Sequence, residues 1–182
     1  MRVELFDKGF KEILATQSVS VTGGLLAGTV LAAYTDKLLF VPGMLVLLPG
    51  FLEMRGNISG TLSARLSSGL FLKVINPKKM RTKLVAENLA ASFFLAVLAS
   101  LALGTVAFLF NLLATGVATP RIVALPLLAG IIANAVEIPL ALAATFYLFR
   151  KGHDPNNIMG PFVTSTGDIT SILALLAAMV VL

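Results

Sequence analysis

The chain has 182 residues, 57% of them hydrophobic and only 13% charged, with a mean hydropathy of +0.94. A soluble domain carries about 25% charged residues, and this composition would expose large apolar patches in water, so a water-soluble domain is excluded and an integral membrane protein is expected. With no cysteine and one histidine, His153, disulfides, thiolate metal sites and a poly-His site within one chain are excluded. The net charge of +5 reads as membrane topology and not as nucleic-acid binding, because the basic residues cluster beside apolar spans.

Within residues 1–17, Val3, Phe6, Phe10, Ile13, Leu14 and Gln17 recur at helical spacing, with Glu4, Asp7, Lys8, Lys11 and Glu12 elsewhere. This pattern predicts a short amphipathic helix on the membrane surface; a plain extension of the first span is the alternative. The mixed charges argue against a cleaved signal peptide. The first span is expected at about 18–34. The next apolar stretch, 38–72, would be ~50 Å long as one helix, against a hydrocarbon core of ~30 Å. It contains Pro42, Gly43, Pro49, Gly50 and the polar knot Glu53-Met54-Arg55-Gly56-Asn57, and is read as one kinked or broken helix. Further spans follow at about 87–114, 123–149 and 158–182, the last opened by Asp154-Pro155-Asn156-Asn157, good helix-entry residues.

The expected fold is therefore all-α, with five transmembrane helices making one pore domain over residues 18–182. Charge orients it. Ten basic residues (Arg2, Lys8, Lys11, Lys73, Lys78, Lys79, Arg81, Lys83, Arg150, Lys151) flank one side, against Lys37 and Arg121 on the other. The positive-inside rule then puts the N-terminus in the cytosol and the C-terminus outside, in a multi-pass cell-membrane protein.

Two segments break the apolar rule. In the first, helical spacing aligns Asn57, Thr61, Arg65 and Ser68 on one face, and Gly56, Gly60, Ser63 and Ser67 on its neighbour. The small face permits close helix packing, whereas the polar face needs water or partners. In the second, residues 160–171, Asp168 lies ~15 Å into the last span, near the bilayer midplane. A carboxylate there costs at least ~2.5–3.5 kcal/mol, so it should face a wet cavity or a partner. Thr164 and Ser171 share its face. An ion pair with Arg65 or Arg55 is the structural alternative. Glu137, with Asn134 beside it, and Glu53 form a candidate second ion site; paired packing residues are the alternative for Glu137, and a vestibule or an Arg55 pair for Glu53. Carboxylate, amide, hydroxyl and carbonyl oxygens suit hard cations such as Mg2+ or Ca2+, and Mg2+ in particular keeps several waters and needs only one or two carboxylates.

Residues 49–67 and 154–175 resemble the two signature segments of the MgtE-type magnesium transporter membrane domain. The stretch from Arg55-Gly56-Asn57 to Arg65-Leu66-Ser67 resembles especially the eukaryotic solute-carrier magnesium transporters of the same superfamily. The resemblance implies a homodimer with a central cation pore lined by spans two and five, Asp168 as the carboxylate holding hydrated Mg2+, Thr164 contributing its carbonyl or water shell, and Asn57 in the pore-lining helix. Thr61, Gly56, Ser171 and Arg65 are expected to line that pore. The bacterial family carries a large cytosolic regulatory region before this domain, in place of which this chain has some seventeen residues, so a separate cytosolic regulator is one expectation. Eukaryotic relatives fuse two such domains, and a single copy favours a dimer.

Divalent-cation transport is thus the leading function. The rival is an ion-coupled secondary transporter for another solute, which could use broken helices and a midplane Asp168 equally well. An enzyme would need a nucleophile with a base, or a metal cluster; His153 stands alone in a loop, and no enzymatic activity is expected.

Overall fold

Asp7 accepts a hydrogen bond from the Phe10 N–H at 2.8 Å and starts α1 (Lys8–Ala33). The computed structural model describes residues 7–182, which are helical apart from short connections. The expected boundary near residue 17 is not a break, because α1 runs continuously from Lys8 into the first span; Val3 and Phe6 of the surface-helix pattern lie outside the described residues.

A short α2 (Thr35–Leu39) precedes α3 (Met44–Phe71). The interruption in the long apolar stretch falls at residues 40–43, ahead of the polar knot. Pro42 disfavours helical geometry at Val41, and Gly43 takes φ 85, a left-handed conformation that glycine adopts without steric cost. The helix then continues through Pro49 and the knot, giving α3 a length of ~42 Å. Thr82 accepts from the Val85 N–H to open α4 (Lys83–Thr115), and Gly116 at φ 70 closes it. α5 (Arg121–Arg150) carries Pro126 and Pro139 internally. Asp154 caps α6 (Pro155–Val181) by accepting from the Asn156 N–H at 2.9 Å, with Pro155 in the first turn.

Among the described residues α1, α4, α5 and α6 are long and apolar enough to cross a membrane. α3 is long enough but carries Glu53, Arg55 and Arg65 internally. Large apolar side chains such as Val46, Phe94, Phe110 and Leu113 are exposed along the helices, as expected where the surrounding solvent is lipid.

The interior has two apolar halves. In one, Leu47 and Phe51 of α3 pack with Ile122 and Leu125 of α5 and Leu175 of α6. In the other, Leu62 and Leu66 pack with Ile138, Phe146 and Val163. Along α3 and α5 a polar layer of Arg55, Asn134 and Glu137, all buried, falls between them. α4 and α5 approach closely because a Cβ on Gly104 would lie 2.8 Å from the Val123 carbonyl oxygen. α1 packs on α6, where a Cβ on Gly23 would lie 2.7 Å from Ser165 Cβ and Ser165 Oγ donates to Ser20 Oγ at 2.9 Å.

Candidate cation site

α3 and α6 enclose a cavity of about 630 Å3 lined by Glu53, Gly56, Asn57, Thr61, Thr164 and Asp168, with Pro49, Gly60 and Gly160 among the remaining wall. Asp168 sits at the middle of α6 and is partly exposed to this space. Glu53 and Asn57, one turn apart on α3, are tied by a 3.1 Å hydrogen bond from Asn57 Nδ2 to Glu53 Oε1. Thr164 donates to the Gly160 carbonyl at 3.0 Å. The Glu53 and Asp168 carboxylates repel each other across the cavity, and no lysine or arginine lies within ion-pair distance of either among the described residues. Asp168 therefore makes no salt bridge with Arg55 or Arg65.

Gly56 and Gly60 face this cavity. A Cβ on either would meet nothing nearer than 4.0 Å, at Thr164 Oγ1 and Val163 Cγ2 respectively. Close packing within the chain does not require them; their effect is to leave the cavity wide. The serines assigned to the same small face, Ser63 and Ser67, lie elsewhere: with Ser59 they follow Arg55 at four-residue intervals, all buried in the bundle. Their small side chains let α3 pack inside.

A second polar group lies inside. Arg55 is 1% exposed. Its Nη1 donates to Asn134 Oδ1 and its Nε to Ser171 Oγ at 3.3 Å. Asn134 Nδ2 in turn donates to the Gly130 carbonyl. Glu137 accepts from Thr170 Oγ1 at 2.9 Å and from Thr166 Oγ1 at 3.3 Å, and the Arg55 and Glu137 charges attract each other.

The expected groupings are therefore redistributed. Glu53 joins Asp168 in the cavity, whereas Glu137 and Asn134 surround Arg55, whose positive charge disfavours a cation there. Ser171, expected on the pore face, is fully buried; it lies one turn past Asp168, where α6 packs into the apolar half containing Leu175. Arg65 is exposed and outside the cavity lining, where Ala64 stands instead. Thr166 and Thr170, which bond Glu137, stand at four-residue spacing on the side of α6 away from Asp168, a signal readable in the sequence.

A third cluster joins α1 to the start of α6. Glu12 Oε1 lies 2.8 Å from His153 Nδ1, Asn157 Nδ2 donates to Glu12 Oε2 at 3.2 Å, and Lys8 Nζ donates to the Gly152 carbonyl at 2.7 Å. Among the described residues no group of three or more His, Cys, Asp or Glu is placed to hold a metal. Two carboxylates in a roomy cavity whose wall also carries Leu52, Ala64 and Val163 suit an ion that keeps its water better than a dry protein cage.

Comparison with known proteins identifies the family. The MgtE family, described as divalent cation transporter, matches residues 48–178, a stretch that includes both α3 and α6 linings. A rat protein named solute carrier family 41 member 3 (Rattus norvegicus) is 29% identical over 168 residues, 87% of this chain and 35% of its own length. The mouse protein of the same name (Mus musculus) is 30% identical over 148 residues, 76% of this chain and 30% of its own. The chain thus spans about a third of the curated relatives it matches. No solved structure matches. This multi-pass membrane chain belongs to the MgtE family of divalent cation transporters.

Proposed function

We propose that this chain carries divalent cations, Mg2+ foremost, across the membrane through the space between α3 and α6, at the axis of a homodimer. The observation that carries the reading is the open cavity that gathers Glu53, Asn57, Thr61, Thr164 and Asp168 without a protein cation to neutralise its carboxylates. Unpaired acids at membrane depth are costly, and a hydrated divalent ion supplies both charge and hydrogen-bond donors. α3 serves as a fifth span, with Glu53 turned toward the cavity and Arg55 toward the interior. A second copy set against the open side would bring a second Asp168, doubling the negative charge and shielding the polar wall from lipid. Mg2+ here is cargo, held by Asp168 through its water shell, with Asn57 and Thr164 placed to bond those waters. The basic side of the bundle, including the N-terminus, faces the cytosol. Gating by a separate cytosolic protein is compatible with this arrangement.

Mg2+ uptake into proteoliposomes, with and without an imposed Na+ or H+ gradient, tests the function. Uptake is expected; absence of Mg2+ flux under every gradient contradicts it. Cysteines at Thr164 or Thr61 should cross-link between two copies, and a cysteine at buried Ser171 should not. A monomer that transports at full rate contradicts the dimer axis. Labelling a cysteine at Lys79 only from the cytosolic side, and one at Thr119 only from outside, fits the orientation; the reverse pattern refutes it.

A further inference from the structure

The seam between α4 and α5 carries two depressions in line. The first, about 480 Å3, is bordered by Arg81, Lys83 and Leu142. The second, about 540 Å3, is bordered by Phe93, Phe94, Val97, Ile138 and Pro139, with Asn134 as its polar member. Leu89 borders both, so the two are neighbours along the seam. Its mouth is cationic. Arg81 has no ion-pair partner among the described residues, and Lys83 has only a loose 3.8 Å pair with Glu87, the two side chains being 92% and 59% exposed. Arg150 Nη2 reaches Met80 Sδ at 3.3 Å and adds a third positive charge beside the mouth.

The trough beyond is apolar and of suitable depth. From Lys83 to Val97 α4 rises ~21 Å, and one leaflet of the hydrocarbon core is ~15 Å deep. A headgroup at residues 81–83 would therefore place an acyl chain along Leu89, Phe93 and Val97, ending near the bilayer midplane. A cationic mouth leading into an apolar trough of leaflet depth complements one class of molecule, an anionic phosphate attached to long acyl chains.

We propose that the α4–α5 seam binds an anionic phospholipid, with its phosphate between Arg81 and Lys83 and one acyl chain in the trough. The chain lies against the side of Asn134, whose Oδ1 accepts from buried Arg55. The site rests on the membrane placement of α4 and α5 and not on which ion is carried.

The test is native mass spectrometry of the full chain after equilibration with vesicles of equal phosphatidylglycerol and phosphatidylcholine. The parent should retain phosphatidylglycerol over phosphatidylcholine by at least about tenfold, given two cations at the surface. The double variant Arg81→Gln, Lys83→Gln should fall toward parity while keeping its unfolding temperature, since both residues are exposed. Ala90→Phe, which fills the trough, should reduce retention of both lipids. Equal retention by the parent overturns the proposal, as does unchanged preference in the charge variant. Complete displacement of the lipid by millimolar inorganic phosphate also overturns it, because the site would then be an anion site without an acyl trough.

Discussion

On one side of α6, Thr164 and Asp168 face an open cavity. About 200° around the same helix, Thr166 and Thr170 close over Glu137, which lies in α5 beside Arg55 and Asn134. Both regions contain carboxylates, amides and hydroxyls. The inner carboxylate has two hydroxyl donors and is attracted by the Arg55 guanidinium, so partners within the chain offset part of its cost. The outer pair, Asp168 and Glu53, has one hydrogen bond, donated by the Asn57 amide to Glu53, and no cation among the described residues. The presence of an acid in a span therefore says little about its role; its partners decide. An acid bonded from a neighbouring helix fixes helices, and one without a cation in a roomy space is left to hold something that arrives.

The largest stability effect should come from the inner region. Arg55→Met removes the bonds to Asn134 and Ser171 and a positive charge that attracts buried Glu137, and should cost about 3–5 kcal/mol, read by thermal or denaturant unfolding in detergent. The double variant Arg55→Met, Glu137→Leu should lose less than the two single variants together, because both buried charges go. A strictly additive result would show that the two charges are not coupled. Thr170→Val removes one donor to Glu137 and should cost about 1–2 kcal/mol. A smaller loss, about 0.5–1 kcal/mol, is expected for Glu12→Gln, since the cluster joining α1 to His153 and Asn157 sits near a solvated end. Thr61→Val should leave stability within about 0.5 kcal/mol and act only on transport; a larger loss would place Thr61 in the packed interior.

The apolar spans were legible because hydropathy and length constrain them strongly: the expected spans at 87–114 and 123–149 fall within α4 and α5, and that at 158–182 runs one residue past the end of α6. Asp168, Thr164 and Asn57 could be singled out because polar groups at membrane depth are costly wherever they occur. Side-chain partnering was less readable. Spacing placed Ser171 with Asp168, but α6 enters the packed apolar half within one turn, and sequence spacing carries no record of where a neighbouring helix crosses. Gly56 and Ser63 likewise looked like one packing surface, although one borders the cavity and the other the interior. Arg55 had several candidate partners in sequence; its bonds to Asn134 and Ser171 depend on the mutual rotation of three helices. The start of α1 hid its anchorage for the same reason, since Glu12 and His153 are 141 residues apart.

The central claim is that the open side of α6 transports and the closed side supports. The most direct measurement is Mg2+ uptake into vesicles by Asp168→Asn, taken with its unfolding temperature with and without Mg2+. The substitution keeps shape and an acceptor oxygen while removing one charge per chain. Uptake should fall at least about tenfold, corresponding to ~1.4 kcal/mol. Mg2+-dependent stabilisation should disappear, and the ion-free protein should be as stable as the parent or more so, having lost the repulsion with Glu53. If Asp168→Asn instead transports and responds to Mg2+ like the parent, or unfolds as readily as Arg55→Met, Asp168 belongs with the structural residues and the division between the two sides of α6 is wrong.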